Sequence, residues 1–395
     1  MPRARWPDRL AVAQAHRARS AALRRRRAVE LVDGPRVVVD GQPLVSFCSN
    51  DYLGLASSLE GAVALQDAAA RHGLGSGGSA LLGGHHALHA AFEREAAEWL
   101  GYERALFFPS GYQANLATLQ GLLSPGDLCV QDKLNHACLV DGARLAGAEL
   151  RRYPHADYAA ALRQLQALPE AAAVLATDSV FSMDGDVAPL RELALAATGE
   201  HALFVVDEAH GAGVLGPEGR GACAAVGLSA RDVPLMVVPL GKAFGGQGAL
   251  VLGSQALVDH LLQSARPYVF STAAMPALAA AMSAQLRAIR AEGWRRAKLA
   301  SLVARFRRGA LRHGLPLVDS STPIQPLLLG GNARALAVAR TLEQRGYWVA
   351  PIRPPAVPDG KARLRITLTA AHDEAQVDGL VDALAACHDA ADAGA

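Results

Sequence analysis

The chain has 395 residues, 51% of them hydrophobic and 19% charged, a composition typical of a globular protein large enough for two or three domains. Its 39 basic and 37 acidic residues leave a formal net charge of +2, so no sustained field attracts nucleic acid or an anionic bilayer. The sequence has no uninterrupted apolar run of about 18 residues, so no membrane span is predicted.

Cysteine usage and the N-terminus bear on where the protein works. No cysteine belongs to a C-x-x-C pair or to a His/Cys cluster with metal-ligand spacing, and the five are Cys48, Cys129, Cys138, Cys223 and Cys387. This pattern favours a reducing cytoplasm and predicts no metal site. The N-terminus lacks an apolar segment of about 7–15 residues before a cleavage site, so no secretory signal is predicted. The arginine- and alanine-rich start fits a transit peptide or an ordinary first helix, and we interpret it as a helix.

The first part of the chain, 1–57, is predicted to be a helix followed by an arm. Residues 8–27 have the pattern of an amphipathic helix. Residues 36–47 alternate as two short strands around the Asp40-Gly41 turn, a dipeptide typical of hairpins.

The central part, 58–290, has the rhythm of an α/β domain. Helical stretches such as 87–100 and 112–122 alternate with short apolar runs. These runs lie at 105–108, 128–130, 173–177, 202–206, 235–238 and 249–252. Because continuous apolar strands are typical of sheets covered on both faces, we predict a mostly parallel sheet.

The last part, 291–395, is predicted to be a smaller α+β domain that follows a long helical stretch near 277–312. Its predicted helices lie near 332–345 and 373–391, and its strand candidates at 324–329, 347–352 and 363–368.

A lysine set among glycines and apolar residues is the first candidate for chemistry. Lys242 follows the apolar run 235–238 and has Gly241 before it and Gly245-Gly246 shortly after. An ammonium group that has lost its hydration becomes a usable amine nucleophile. Alone, this lysine also fits an ordinary strand end, so its assignment depends on the other elements.

A carboxylate and a histidine follow a second apolar run. Asp207 comes directly after 202–206, and His210 lies three residues further on. In an open α/β sheet this places Asp207 in the crevice beyond the strand ends, where ligands bind. A carboxylate there can pair with a protonated pyridine nitrogen and keep the ring an electron sink, and His210 could donate to the ring's phenolic oxygen. Asp207 alone also fits a helix N-cap.

Three further loops supply polar groups to the same predicted edge of the sheet. Ser110-Gly111-Tyr112 leads from a strand into a helix, whose backbone N–H groups and positive end suit a phosphate. His136 follows the next strand and could stack on a cofactor ring or relay a proton, or lie at the surface. Ser182 adds a hydroxyl in a segment that also fits an ordinary Asp-Gly turn.

A competing phosphate signal is the stretch 73–78, Gly-Leu-Gly-Ser-Gly-Gly, which matches G-x-G-x-x-G. A dinucleotide fingerprint should follow a strand and open a helix. This stretch follows the helical residues 60–72 instead. We therefore interpret it as a loop that brings backbone close to a ligand and reject a dehydrogenase.

In this order the elements resemble those of the α-oxoamine synthases, fold-type I pyridoxal-phosphate enzymes that condense an amino acid with an acyl thioester. The likeness runs from Ser-Asn-Asp-Tyr-Leu-Gly-Leu at 49–55 to Arg-Leu-Arg-Ile-Thr-Leu-Thr at 363–369. It implies a large domain with a mostly parallel mixed sheet, a smaller C-terminal α+β domain and an N-terminal arm. It also implies a homodimer with the active site at the subunit interface.

The resemblance implies a role for each candidate residue. Lys242 would hold pyridoxal 5′-phosphate as a Schiff base, Asp207 would pair with the pyridine nitrogen, and His210 with the phenolic oxygen. The other implied contacts are His136 stacked on the ring, Ser182 near the ring, Ser110, Gly111 and Tyr112 around the phosphate, and Ser271 and Thr272 at the cofactor phosphate of the other subunit.

Within the family, the stretches 75–79, 83–89 and 352–358 are similar to members that join L-alanine to a pimeloyl thioester in biotin biosynthesis. An acyl carrier protein or coenzyme A would carry the pimeloyl group. Arg24 would meet the acyl substrate and Arg353 a substrate carboxylate, although a solvated guanidinium fits both. A glycine- or serine-using member of the family is the alternative, and a non-catalytic binding protein with the same fold is a further one.

Pro239 departs from the family pattern. The family usually has a threonine there that hydrogen-bonds the cofactor phosphate, whereas proline offers neither a hydroxyl nor an N–H. We expect one phosphate contact to be missing, at a cost of roughly 1.5–3 kcal/mol, which the covalent link to Lys242 can tolerate. Ala356 similarly replaces a threonine near the substrate, and Cys138 a serine.

Overall fold

The computed structural model describes residue 3 and residues 5–392. Its strands are β1 (Val29–Asp33), β2 (Arg36–Val39), β3 (Gln42–Ser46), β4 (Arg104–Phe108), β5 (Leu128–Asp132), β6 (Glu149–Tyr153), β7 (Ala173–Asp178), β8 (Leu203–Asp207), β9 (Leu235–Pro239), β10 (Ala249–Gly253), β11 (Ile324–Gly330), β12 (Tyr347–Trp348), β13 (Ala350–Ile352) and β14 (Ala362–Thr367). Its helices are α1 (Trp6–Arg19), α2 (Leu59–His72), α3 (Ala87–Leu100), α4 (Gly111–Leu122), α5 (Ala137–Ala146), α6 (Tyr158–Gln166), α7 (Leu190–Gly199), α8 (Ala222–Ala225), α9 (Gln255–Ser264), α10 (Arg266–Val269), α11 (Pro276–Ala291), α12 (Gly293–Arg312), α13 (Asn332–Gln344) and α14 (Glu374–Asp392).

The described chain divides into two compact units. The larger unit comprises Asn50–Ser182 and Asp186–Leu299. The smaller unit comprises the described residues up to Ser49, the short segment Met183–Gly185 and the described residues from Ala300 onward. The smaller unit therefore contains most of the predicted arm together with most of the predicted C-terminal domain. The three-part division at 57 and 290 stays a prediction.

The larger unit is built on a seven-stranded sheet in the order β4-β10-β9-β8-β7-β5-β6. Strand β10 runs antiparallel to both of its neighbours, and the strands from β9 to β6 are parallel. Strands β5, β9 and β10 are buried at every position, as expected for a sheet covered on both faces. This sheet confirms the predicted fold class.

One hydrophobic core of the larger unit joins the sheet to helices α4, α5 and α9. Phe108, Leu119, Leu139, Val237 and Leu261 belong to it, and each is at most 1% exposed. Burying a side chain of this size contributes roughly 1.5–3 kcal/mol. The core therefore fixes the start of α4 relative to the ends of the parallel strands.

The smaller unit contains two sheets, with the orders β1-β2-β3-β12 and β11-β14-β13. Asp40 and Gly41 form the predicted turn between β2 and β3, with φ angles of 50° and 81°, as a type I′ turn requires. Strand β12 pairs in parallel with β3. A strand from the C-terminal part of the chain thus completes the sheet of the arm.

The predicted helix over 8–27 is wrong beyond Arg19. Helix α1 ends before the four consecutive arginines, which have no regular secondary structure. Like charges on neighbouring turns of a helix repel each other. Arg27 instead forms ion pairs with Asp40 at 2.9 Å and Glu343 at 2.8 Å.

Two other elements differ from the sequence prediction. Strand β6 was missed because it lies at the edge of its sheet and is largely polar, so it lacks the apolar run that marks a buried strand. The helical stretch 277–312 is two helices, α11 and α12, separated at Glu292. In the part of the chain that the structure describes, no helix has the length and apolar character needed to cross a bilayer.

Candidate active site

A cavity of about 280 Å³ lies in the larger unit at the carboxyl ends of the parallel strands. It is lined by Ser110, Gly111, Tyr112, Asn115, His136, Cys138, Asp178, Ser182, Asp207, Ala209, His210, Pro239, Gly241, Lys242, Gly246, Gln247 and Gly248. Ligands bind at this position in open α/β sheets. A larger cavity of about 500 Å³ beside α3 contains none of the candidate residues, so its size alone does not make it the site.

Backbone hydrogen bonds fix Lys242 in a turn between β9 and β10. The Gly245 N–H donates to the Lys242 carbonyl at 2.8 Å, and the Gly246 N–H donates to the Leu240 carbonyl at 3.0 Å. Gly245 has a φ of 63°, and a Cβ atom there would lie 2.2 Å from the Ala56 nitrogen. Because only glycine fits this position, the glycines beside Lys242 are a packing requirement of the turn.

Asp207 ends β8 and is 3% exposed. Its carboxylate accepts hydrogen bonds from the Asn115 side-chain amide at 2.6 Å and from the Ala209 N–H at 2.8 Å. Burial raises the pKa of Asp207, while the positive charge of Lys242 and these hydrogen bonds oppose the rise. A buried carboxylate of this kind gains from a cationic partner.

Asp178 is a second buried carboxylate, which is not among the site residues predicted from the sequence. It ends β7, pairs in register with Asp207 on β8, and accepts the His136 N–H at 2.7 Å. Burial and the negative charge of Asp207 raise the pKa of Asp178 well above its usual range. This end of the cavity therefore favours a positive charge.

His136 is the N-cap residue of α5. Its Nδ1 accepts the Cys138 N–H at 3.3 Å and lies 2.8 Å from the Cys138 Sγ, which leaves the ring proton on Nε2. Burial lowers the pKa of His136, although the charge of Asp207 opposes this. The imidazole is therefore neutral at neutral pH.

His210 is oriented by a tyrosine from a distant part of the sequence. The Tyr52 hydroxyl lies 2.7 Å from His210 Nδ1, and Tyr52 is fully buried. Tyr52 belongs to the stretch 49–55 that carried the family resemblance, but no role had been predicted for it.

The predicted phosphate turn begins α4. The Ser110 hydroxyl accepts the Gln113 N–H at 3.3 Å, and the N–H groups of Gly111 and Tyr112 belong to the first turn, where a helix has no internal acceptors. A Cβ atom on Gly111 would lie 2.8 Å from the Cβ and Cγ atoms of Pro239. The proline ring thus packs directly against the turn.

These groups fit pyridoxal 5′-phosphate. The cavity offers an amine at Lys242, a buried carboxylate at Asp207, a neutral imidazole at His136 and a helix N-terminus after Ser110. Each matches one part of that cofactor: the aldehyde, the ring nitrogen, the ring face and the phosphate. Ser182 also lines the cavity.

Four predicted site residues do not line this cavity: Ser271, Thr272, Arg24 and Arg353. Ser271 accepts a hydrogen bond from Gln113 at 2.8 Å, and Thr272 forms a β-bridge with Ser79. Neither reaches the cavity of its own chain. Their predicted contact with the cofactor of the other subunit stays a prediction.

Arg24 and Arg353 belong to the smaller unit, where the fold brings them together. The Arg353 guanidinium donates to the Ala21 carbonyl. Burial lowers the pKa of Arg353, and the positive charge of Arg24 adds to the effect. Two arginines more than 300 positions apart in the sequence therefore form one basic corner, and their contact with a substrate stays a prediction.

Comparison with known proteins gives one consistent result. The family model for aminotransferase class I and II matches residues 42–384. An 8-amino-7-oxononanoate synthase of Stenotrophomonas maltophilia (strain R551-3) is 59% identical over 387 residues, which cover 97% of this chain and 95% of the relative.

Two solved structures extend the comparison. An 8-amino-7-oxononanoate synthase from Francisella tularensis is 32% identical with a TM-score of 0.77, covering 88% of this chain and 98% of the other. A serine palmitoyltransferase from S. paucimobilis, solved with a bound PLP–myriocin aldimine, is 26% identical with a TM-score of 0.92 over 97% of both chains. The chain belongs to the aminotransferase class I and II family and, within it, to the 8-amino-7-oxononanoate synthases.

Proposed function

We propose that the chain is a pyridoxal-phosphate-dependent acyltransferase. It condenses L-alanine with a pimeloyl thioester to form 8-amino-7-oxononanoate, a step of biotin biosynthesis. The C–S bond of the thioester breaks, and carbon dioxide and the free thiol of the acyl carrier are released. The observation that carries the proposal is the convergence of Lys242, Asp207, His136 and His210 on one cavity beside the start of α4. The 59% identity to a synthase of this name over nearly the whole chain supports the same reaction.

Pyridoxal 5′-phosphate bound in this cavity supplies an electron-withdrawing ring that stabilises negative charge at the α-carbon of the amino acid. Lys242 would hold it covalently, and the buried Asp207 carboxylate would keep a proton on the ring nitrogen. The helix N-terminus after Ser110 would bind the phosphate. His210, oriented by Tyr52 at its Nδ1, would present Nε2 to the phenolic oxygen.

Two residues of the chain act at the reacting groups, one on a proton and one on a carbonyl oxygen. The free amine of Lys242 removes the α-proton of alanine. The Nε2–H of the neutral His136 donates a hydrogen bond to the carbonyl oxygen, where negative charge develops as the new carbon–carbon bond forms. The burial that keeps His136 neutral also limits water around the charge that develops there.

A product assay tests the proposal. Purified protein with cofactor is incubated with L-alanine, glycine or L-serine and with pimeloyl thioesters of coenzyme A and of an acyl carrier protein. We expect 8-amino-7-oxononanoate, identified by mass, from L-alanine with at least one of the two donors. A faster reaction with glycine or serine would contradict the choice of amino acid.

Serine is the second candidate amino acid, because a serine palmitoyltransferase matches the fold with a TM-score of 0.92. The sequence identity in that comparison is 26%, against 59% for the 8-amino-7-oxononanoate synthase. The larger identity favours alanine. A purified protein that stays colourless with added cofactor would favour a non-catalytic binding protein over both.

We further propose a cytoplasmic homodimer with the active site at the subunit interface. All five cysteines are free, which suits a reducing compartment. Phe270 and Leu82, near Ser271 and Ser79, are 71% and 84% exposed, and exposed apolar side chains favour a subunit contact there. Light scattering of the purified protein should give twice the chain mass, and a monomer that retains activity would contradict this arrangement.

A further inference from the structure

Outside the cavity, His155 lies between two carboxylates of the larger unit. Its Nδ1 is 3.1 Å from Asp132 Oδ1, and its Nε2 is 2.8 Å from Asp186 Oδ2. The His155 ring meets the Phe181 ring edge to face, with centroids 4.4 Å apart. Both ring nitrogens can donate only in the imidazolium form, so the geometry indicates a positively charged histidine.

The charges around the ring agree with this geometry. Burial opposes the positive charge, but hydrogen bonds and negative charges from Asp132 and Asp186 outweigh it and raise the pKa of His155 to about 10. Asp132 is 1% exposed, so solvent screens the pair only partly. Charged groups beside the cluster include Arg152, which donates to the Lys133 carbonyl, and the buried Asp178, on which the charge of Asp132 acts.

Asp132 connects His155 to the loop that carries His136. The Asp132 carboxylate accepts the Leu134 N–H at 2.7 Å and the Ala156 N–H at 2.8 Å. It thereby fixes the backbone two residues before His136 as well as the residue after His155. The His155 ion pair holds this carboxylate in place from the other side.

Asp186 connects His155 to the turn that carries Ser182. The Phe181 N–H donates to the Asp186 carbonyl at 3.0 Å, which closes the turn around Ser182. The Asp186 Oδ1 is buried and has no hydrogen-bond partner among the described residues. The contact from His155 to Oδ2 is therefore the one that orients this carboxylate.

We propose that His155 is a positioning residue, a charged clamp that fastens the His136 loop to the Ser182 turn and so sets both side chains in the cavity. His155, Asp132 and Asp186 do not line the cavity. Their effect therefore passes through the backbone of the two segments. This inference rests on the proposed function in so far as His136 and Ser182 act on substrate or cofactor.

The direct test replaces His155 with asparagine in the holoenzyme. His155→Asn removes the charge and one of the two donors. Because a displacement of about 1 Å in a catalytic group can cost about 100-fold, we expect kcat to fall about 10- to 100-fold, with a smaller change in KM for alanine. The matched control is His201→Asn, at an exposed residue with a φ of 53°, which asparagine tolerates; its kcat should change by less than about twofold.

Two readouts separate positioning from a general loss of structure. In the cofactor-free protein, hydrogen exchange of 133–136 and 180–187 should quicken in His155→Asn, while exchange in the β8–β10 core stays unchanged. In the wild type, kcat and the protection of these segments should fall together as the pH approaches about 10, where His155 loses its proton. His155→Arg keeps the charge and two donors. We therefore expect it to recover part of kcat and to show no such loss of kcat at alkaline pH.

Several results would overturn the proposal. The proposal is wrong if a folded His155→Asn protein has a kcat within twofold of the control. It is also wrong if hydrogen exchange of 133–136 and 180–187 is unchanged in that variant. If His155→Asn does not fold, the wild-type histidine titration decides, and a His155 signal that loses its proton below pH 7 rejects the clamp. A wild-type protein that makes no product refutes the proposed function instead, because the exchange and titration readouts do not need turnover.

Discussion

The two ends of the cavity recognise charge by different means. At one end, Asp207 and Asp178 finish neighbouring strands, and both carboxylates are buried and hydrogen-bonded to the protein. At the other end, the start of α4 offers backbone N–H groups and the Ser110 hydroxyl. The wall beside it is the ring of Pro239, which offers no donor.

This difference predicts at which end of the cavity the protein tolerates substitutions. A buried charged group is costly to leave without its partner, at about 3–5 kcal/mol, so the carboxylate end should be intolerant. A hydrogen bond to a charged group contributes roughly 1.5–3 kcal/mol, so the phosphate end can gain or lose one contact and still function. Cofactor retention should therefore depend chiefly on Lys242 and the carboxylate end.

The largest effect is expected from Asp207→Asn. The amide keeps an acceptor for the Ala209 N–H but cannot hold a proton on the ring nitrogen. We expect kcat to fall about 100-fold or more, which corresponds to about 3 kcal/mol, measured by steady-state product formation. The control is Asp67→Asn at an exposed position of α2. A kcat within tenfold of the wild type would show that the buried carboxylate is not essential.

The phosphate end can be tested in the opposite direction. Pro239→Thr restores the hydroxyl, and Pro239→Val has the same shape without it. We expect the threonine variant to bind cofactor about tenfold more tightly than the valine variant, by about 1.4 kcal/mol, in a spectroscopic titration of the cofactor-free protein. Equal affinities would show that residue 239 does not face the phosphate.

A smaller effect is expected from Tyr52→Phe, which removes the hydroxyl at His210 Nδ1 but keeps the ring. A neutral buried hydrogen bond contributes about 0.5–1.5 kcal/mol, so kcat should fall roughly twofold to tenfold. Tyr102→Phe is the matched control, because its buried hydroxyl donates to the Val233 carbonyl at 2.7 Å away from the cavity. Equal losses of kcat in both variants would mean that Tyr52 acts only on stability.

The position of a residue along the chain determines whether its place in the cavity could be predicted from the sequence. Asp207 and Lys242 follow apolar runs closely, so the strand-end rule for α/β sheets was enough to group them. Asp178 also follows such a run and could have been found by that rule. Asn115 could not, because its contact with Asp207 joins a helix to a strand 92 positions further on.

Other contacts that depend on tertiary structure could not be predicted from the sequence either. Tyr52 and His210 are 158 positions apart, and no local pattern links them. The strand that precedes His155, β6, is a polar edge strand, so no sequence pattern predicted His155 near the cavity. The end of α1 was missed because helical periodicity does not register four adjacent like charges.

The proposed function depends above all on Lys242, which would bind the cofactor covalently and remove the proton from the amino acid. The most direct measurement compares Lys242→Ala with Lys298→Ala, an exposed lysine on α12, for visible absorbance with cofactor and for product formation from L-alanine. We expect Lys242→Ala to lack both the absorbance of the covalent link and all product, while Lys298→Ala keeps both. Turnover by a folded Lys242→Ala protein at a rate near that of the control would contradict this role of Lys242.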